Sequence, residues 1–314
     1  MVEFVKPDDE DNGEKRFSKK KTKGIFSWKL ALLVFLIFFF LSSLLSSLSY
    51  MLSPKIAVVP IKGVITSDSS SGLLDSSSTS SRFISQTLLS LKDDDSIKAV
   101  VLDINSPGGS PVATEEISHA IDALKEKKPV IALVGEIGAS GAFWIAMSAD
   151  KVYASRMSTL GSIGVTSASL GFEEFIKEYN VSYRRLTAGE FKDMGSQFRE
   201  MTDEEKEKIQ NILDEIHSYF IAHVAQERGL EYSEVEKIAT GEVFLGTKAK
   251  ELGFVDEFGY FSDVQTELEK EQNSELLVVT YGPEPSFAEA LGLRDLFSFS
   301  LFGSGNANSV GMLE

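Results

Sequence analysis

Apolar and polar positions alternate in blocks along most of the chain, and the blocks predict strands separated by helices. Runs rich in β-branched apolar residues predict buried strands at 56–65, 97–105, 129–135 and 150–156. Apolar residues at helical spacing predict helices from Phe83, at 114–128, directly after Ser140 and at 203–228; the last carries Ile209, Ile212, Ile216, Phe220 and Val224 on one face. Strands that alternate with helices at this spacing form βαβ units, so the pattern predicts an α/β fold with a mainly parallel sheet.

One apolar block is too long for a strand. Residues 30–52 form 23 positions without a charge, and a helix of that length covers about 34 Å, enough for a bilayer core of about 30 Å. Positions 15–29 hold seven Lys or Arg and no acid, which predicts a cytoplasmic N-terminus and an extracytoplasmic C-terminal bulk. A cleaved signal peptide is the alternative, but its apolar region is usually about 7–15 residues and ends at a small-x-small site, which SLSYMLSPK does not offer.

These features divide the chain into four predicted parts. They are a basic cytoplasmic segment (1–29), a transmembrane anchor (30–52), the main domain (54–282) and a C-terminal tail (283–314). Within the main domain, the Ser-rich stretch 66–82 predicts a mobile loop. The tail is apolar but broken by Gly and Ser, so it either packs on a neighbour, touches the membrane or forms an unstructured terminus.

The amino-acid composition excludes several kinds of catalytic site, metal site and partner. The chain has no cysteine, which excludes disulfides, thiolate catalysis and Cys-based zinc sites. The formal charge is −16, and the acidic bulk has no basic stripe, so nucleic acid is not an expected partner.

Three short motifs contain candidate catalytic residues. Asn105–Ser110, NSPGGS, follows a buried strand and leaves backbone N–H groups uncovered, which suits an oxyanion hole or a simple tight turn. GASGA places Ser140 at a strand-to-helix turn, as a nucleophile or as a helix N-cap. GEFKDMGS holds Lys192 between partly apolar neighbours, as a general base with a pKa lowered by burial or as a surface lysine.

The three histidines do not supply the base. His119 lies off the apolar stripe of its helix, and His217 and His223 lie on the long helix without metal-ligand spacing. We interpret all three as structural or surface residues, so a Ser-His-Asp triad and a metal site are not expected.

Taken in order, the motifs resemble those of the signal peptide peptidase A family, membrane-bound serine proteases of the ClpP/crotonase-like superfamily. The resemblance covers about residues 54–262 and includes IAVVPIKGVI, VVLDINSPGGS, GEIGASGAFWIAMSADKVYASRMSTLGSIGV, GEFKDMGS and GEVFLGTKAKELGFVDEFG. It departs from the usual pattern at Glu242, where a basic residue is expected, and in the length of 66–82.

The resemblance implies a ClpP/crotonase-like α/β domain and a ring-shaped homo-oligomer, in which neighbouring protomers complete the site. It implies Ser140 as nucleophile, Lys192 as general base, the N–H groups of Gly109 and Gly141 as oxyanion donors, and Ser162 as the residue that orients the lysine. No cofactor or metal is implied.

The predicted function is therefore a cell-membrane serine endopeptidase that cleaves remnant signal peptides or other apolar, membrane-associated peptides. Three alternatives stay open: a protease of stomatin-like membrane proteins, a catalytically silent membrane scaffold, and an acyl-CoA-handling crotonase-type enzyme. The last fits an anchored, extracytoplasmic site poorly.

Overall fold

The structure is a computed structural model that describes residues 25–68 and 78–282. Most of the predicted basic segment, the centre of the Ser-rich stretch and the whole tail 283–314 lie outside the described residues. The chain divides at Leu52 and Ser53 into two units.

The first unit contains one helix, α1 (Ile25–Leu52), with exposed apolar side chains from Leu30 to Leu45. Within the described ranges, no helix meets the combined length and apolarity needed to cross a membrane. The predicted helix is therefore present, whereas the predicted transmembrane anchor at 30–52 is not shown.

The second unit is built on one twisted sheet. Its described strands are β1 (Lys55–Thr66), β2 (Ser78–Ser80), β3 (Ile97–Gly109), β4 (Val130–Ala139), β5 (Lys151–Ala154), β6 (Thr159–Gly161), β7 (Val243–Leu245), β8 (Glu257–Phe258) and β9 (Leu277–Thr280). The order is β2-β1-β3-β4-β5-β8; β9 pairs with the start of β1, and β6 pairs with the end of β4. Every described pair is parallel except β6 with β7, so the mainly parallel sheet is confirmed.

Helices cover both faces of this sheet. The remaining described helices are α2 (Ser81–Lys92), α3 (Pro111–Lys125), α4 (Gly141–Met147), α5 (Glu173–Glu178), α6 (Asp203–Arg228), α7 (Tyr232–Ile238), α8 (Gly246–Glu251) and α9 (Phe261–Gln272). Side chains alternate along a strand, so Val59 and Leu102 join the core under α2–α4, whereas Val58 and Val101 pack with Val264 of α9.

The Ser-rich stretch is only partly a loop. Ser78–Ser80 forms β2 beside the end of β1, and α2 begins at Ser81. The buried Thr79 hydroxyl donates to Lys62 O at 2.7 Å and accepts from Lys62 N at 2.9 Å. These polar residues form a strand because their backbone and the Thr79 hydroxyl form hydrogen bonds with the backbone N–H and C=O groups at the edge of β1.

The glycine pair after Asn105 does not form the predicted turn. β3 continues through Gly109 because Gly108 and Gly109 still pair with Val64 and Ile65 of β1. A Cβ on Gly109 would lie 2.0 Å from Ile65 O, so only glycine permits this approach. The chain turns at Ser110, and α3 begins with Pro111 at its first position.

The predicted apolar face of the long helix α6 is only partly buried. Phe220 and Val224 are buried, whereas Ile212, on the same predicted stripe, is 52% exposed. Only the C-terminal half of α6 therefore packs on the core, and its N-terminal half extends past it.

Candidate active site

Ser140 lies at the junction of β4 and α4 in a strained backbone conformation. Its φ is 53° and its ψ is −125°, which a residue with a side chain adopts only when its surroundings hold it there. The restraint comes from both sides: its N–H donates to Gly161 O at 2.9 Å, and its carbonyl accepts from Trp144 N at 3.0 Å. The hydroxyl makes no cap hydrogen bond to α4, so the alternative role as a capping side chain is not what the structure contains.

Ser162 lies beside Ser140 because their strands are in register. Ala139 pairs with Gly161 in parallel, so the two serines are the next residues on adjacent strands. Ser162 also has a positive φ, 55°, and its N–H donates to Glu242 O at 2.8 Å. Glu242 thus supports this turn through its backbone carbonyl. The basic residue expected at this position would make the same hydrogen bond, because the side chain takes no part in it.

The two glycines predicted to supply oxyanion donors also meet here. A Cβ on Gly141 would lie 2.3 Å from Thr114 Oγ1 and 3.5 Å from Gly109 N. A Cβ on Gly108, whose φ is 99°, would lie 2.7 Å from Gly141 N and 2.8 Å from Ser140 Cβ. The end of β3 and the start of α4 therefore approach at backbone distance, which places the Gly109 and Gly141 amides close together.

A cavity of about 500 Å³ opens at this junction. Gly109, Ser140, Gly141 and Ser162 all line it, so the structure brings four of the five predicted site residues together. The opposite wall comes from α6 and from the loop before β7; it includes Leu213, Asp214, Ile216, His217, Phe220, Thr240 and Gly241. This cavity combines the apolar side chains of Leu213, Ile216 and Phe220 with a serine, backbone amides and polar side chains, as ligand-binding pockets commonly do.

Two cavity side chains, which the sequence pattern did not place there, carry unused polar atoms. Within the described part of the chain, Trp144 Nε1 and His217 Nε2 are buried and have no hydrogen-bond partner. Such atoms are costly unless a bound molecule satisfies them. His217 lies on α6, which reaches the cavity only through tertiary packing, so the sequence pattern did not indicate this position. Trp144 lies in α4, close after Ser140, within a motif that the sequence analysis singled out for its serine alone.

His223 has a structural position behind α4. Its ring stacks on Trp144 with centroids 4.5 Å apart, and Nε2 lies 3.1 Å from Ser148 Oγ, which in turn contacts Ser118 Oγ at 2.7 Å. Burial of the ring lowers its pKa below the usual value, so this histidine is held neutral. It does not line the Ser140 cavity, and His119 is exposed on α3.

Lys192 is the predicted site residue that does not join the others. It is exposed, lies in the turn 189–196 and does not line the cavity that contains Ser140. The same stretch of chain displays large apolar side chains; Phe175 is 56%, Tyr179 63% and Leu186 98% exposed. Among the described residues, the cavity therefore combines Ser140 with the Gly109 and Gly141 amides, but no lysine or arginine lines it.

Among residues 25–68 and 78–282, no group of acidic or histidine side chains is arranged to hold a metal ion. Asp214 is the acidic residue of the cavity wall, and its Oδ1 accepts a hydrogen bond from Gln210 Nε2 at 2.7 Å. The groups available in the cavity include hydroxyls, backbone amides, an imidazole and the Asp214 carboxylate.

Comparison with known proteins finds proteases. The family model of peptidase family S49 matches residues 122–275. A protein of Methanocaldococcus jannaschii, provisionally named a protease, is 36% identical over 235 residues, 74% of each chain. A provisionally named signal peptide peptidase SppA of Enterococcus faecium is 29% identical over 72% of this chain and 67% of its own, and protease 4 of Haemophilus influenzae is 33% identical over 70% of this chain and 35% of its own.

Proposed function

Because this chain belongs to peptidase family S49 and is a serine peptidase, we propose that it hydrolyses apolar peptides with Ser140 as nucleophile and Lys192 as general base. The observation that carries the proposal is the strained Ser140 beside the Gly109 and Gly141 amides, in a cavity whose wall includes the apolar Leu213, Ile216 and Phe220. Cleaved signal peptides and other membrane-derived segments are the substrate class that fits such a wall.

The reaction follows from these groups. Lys192 takes the proton from the Ser140 hydroxyl as its oxygen attacks the scissile carbonyl carbon. The Gly109 and Gly141 N–H groups stabilise the tetrahedral oxyanion, and Lys192 returns the proton to the leaving amine. Water then attacks the acyl-enzyme with Lys192 again as base, which regenerates Ser140. Ser162 orients the amine of Lys192.

The dyad is completed between neighbouring copies of the chain. Lys192 lies outside the cavity of its own chain, on a stretch that exposes apolar residues such as Leu186. Exposed apolar surface of this kind is typical of interfaces. A homo-oligomer, as in a ring, would cover it and carry each Lys192 toward the Ser140 of a neighbour.

The protein is attached to the cell membrane with its catalytic domain outside the cytoplasm. The support is in the sequence: residues 30–52 carry no charge, and basic residues precede them. Protease protection in spheroplasts tests this arrangement, which predicts digestion of the catalytic domain from outside. A domain that resists external protease in intact spheroplasts and is digested only after lysis would contradict it.

Mixing two inactive variants tests the dyad. Ser140→Ala and Lys192→Ala should each abolish cleavage of a fluorescence-quenched apolar peptide, and mixed oligomers should regain part of it, because some interfaces then hold an intact serine and an intact lysine. Wild-type activity in Ser140→Ala or in Lys192→Ala would refute the corresponding role. Inactive mixtures, with both single variants inactive and subunit exchange demonstrated, would place the dyad within one chain.

Covalent labelling of the serine distinguishes an active protease from the alternative of a catalytically silent membrane scaffold. A serine-directed phosphonate should modify Ser140 in the wild type and not in Lys192→Ala, since attack needs the base. Failure to label the wild type would favour a silent scaffold. Substrate profiling with signal peptides against stomatin-like segments separates the two protease alternatives.

A further inference from the structure

The turn that carries Lys192 is weakly held by its own backbone. Its described internal hydrogen bonds are Lys192 N to Gly189 O at 3.3 Å, Met194 N to Phe191 O at 3.1 Å and Ser196 N to Asp193 O at 3.2 Å. The turn contains no helix or strand. A base must be held within a fraction of an ångström of its reacting partner, so other contacts have to fix this turn.

Asp193, directly after Lys192, is the point where such contacts converge. Its carboxylate accepts from Arg199 Nε at 2.7 Å and from the Tyr183 hydroxyl at 2.8 Å, and it pairs with Arg185 Nε at 3.0 Å. Arg199 Nη2 also donates to the Asp193 carbonyl at 2.8 Å. Arg199 therefore holds both the side chain and the backbone of the residue next to Lys192, and its hydrogen bond lowers the pKa of Asp193.

The other edge of the same guanidinium is fixed to α6. Arg199 Nη1 donates to Glu205 Oε2 at 2.8 Å, and Nη2 donates to Glu205 Oε1 at 2.5 Å, a two-point pair in which the Glu205 side chain is only 5% exposed. Glu205 also accepts from Thr202 N at 2.9 Å in the capping box that begins α6. Arg199 lowers the pKa of Glu205 to about 2, so the pair stays charged across the working pH range.

α6 is the element that also forms a wall of the Ser140 cavity. From Glu205 the helix runs through Leu213, Ile216 and His217, which line the cavity, to Phe220, which is buried in the core. One guanidinium thus connects the weakly held turn of Lys192 to a helix anchored in the catalytic domain.

We propose that Arg199 is a positioning residue for Lys192, which acts by tying Asp193 to Glu205 at the start of α6. The proposal rests on the proposed role of Lys192 as the base. Arg199 is not among the residues that line the Ser140 cavity. Its effect is on how often the amine of Lys192 occupies the reactive position, and so on kcat rather than on substrate binding.

The test measures kcat and KM of the full chain with a fluorescence-quenched apolar peptide. Arg199→Ala and Glu205→Gln should each lower kcat at least tenfold, since a displacement of about 1 Å costs up to about 100-fold, while KM stays within about twofold. Guanidinium ion at millimolar concentration should restore part of the kcat of Arg199→Ala, because it refills the site between Asp193 and Glu205. Lys206→Gln, which removes an exposed pair with Asp203 in the same turn of α6, is the matched control and should leave kcat unchanged.

Two further measurements keep the outcomes distinct. Lys192→Ala reports on the proposed function: if it stays active, the base assignment fails, whereas an inactive Lys192→Ala with a fully active Arg199→Ala overturns only the positioning role. A purely structural role would lower the melting temperature and leave guanidinium without effect on kcat, and that result also overturns the proposal. If Arg199→Ala does not fold, Arg199→Lys and Glu205→Gln carry the test, with kcat within about twofold of the wild type as the refuting result.

Discussion

Substituting Gly141 by alanine tests the close packing that brings together the Gly109 and Gly141 amides, the proposed oxyanion donors. The backbone of Gly141 has no positive φ, so alanine is not excluded by backbone strain. Its Cβ would lie 2.3 Å from Thr114 Oγ1, far inside contact distance, and Thr114 is 1% exposed and bonded to Ser110 O at 3.0 Å. The start of α4 must therefore shift, which costs about 1–3 kcal/mol as for other overpacked sites.

The same shift moves the Gly141 amide away from the proposed oxyanion site. Loss of one oxyanion donor lowers kcat about 10²- to 10³-fold, so we expect a loss in that range for Gly141→Ala with the quenched peptide. Urea unfolding of the same sample gives the change in stability.

Removing the obstructing hydroxyl gives the control. In a Thr114→Ala background the closest clash is gone, since Thr114 Cβ lies 3.4 Å from the position that the new methyl group would take, an ordinary contact. Gly141→Ala should then cost much less in both kcat and stability, when the double variant is compared with Thr114→Ala. An equal loss in both backgrounds, or no loss in the wild-type background, would refute the steric reasoning.

Three further outcomes are expected. Burial lowers the pKa of His223, so its contribution to stability is present above its unfolded pKa of about 6.5 and is lost as the pH falls through its folded pKa. Urea titrations at several pH values should show that His223→Gln removes this pH dependence. Identical pH profiles of the variant and the wild type would contradict the prediction. Gly161→Ala places a methyl group on a residue whose φ is 95°, at 2.6 Å from the Phe244 ring, so it should destabilise the domain by at least about 1 kcal/mol and lower kcat. Unfolding and peptide assays measure the two changes. An unchanged variant would mean that the β6 turn does not support Ser140. Leu186→Asp should reduce the assembled mass in light scattering, and an unchanged mass would exclude this stretch from the interface.

The sequence was most informative where local pattern decides structure. The strands around Val58 and Val101 were predicted because continuous apolar runs are typical of sheets covered on both faces. Ser140 was a candidate because a serine between small residues at a strand-to-helix turn is typical of a nucleophile or of a helix N-cap, and its hydroxyl makes no cap hydrogen bond in the structure. Gly109 lines the Ser140 cavity, but the predicted turn around it is a strand, and its role as an oxyanion donor stays a prediction.

The parts that were missed depend on contacts between distant segments. The apolar stripe of α6 does not reveal that its first half leaves the core, because Ile212 and Phe220 look alike in sequence. Arg199 lies in a polar stretch without periodicity, and only its bonds to Asp193 and Glu205 give it a role. The sequence did contain one indication of this contact region: Thr202 and Glu205 have the spacing of a capping box, which marks the start of a helix.

The pairing of β9 with the start of β1 has a mechanical consequence. Four residue pairs, from Lys55 with Leu277 to Val58 with Thr280, join the first and last described strands of the domain in parallel, and Leu277 N and Tyr281 N extend the ladder at its ends. A force that pulls residue 54 and residue 281 apart therefore loads these hydrogen bonds together in shear, rather than opening them one at a time. The domain should resist extension between its ends more strongly than extension across β6 and β7, whose antiparallel pairing can be peeled apart pair by pair.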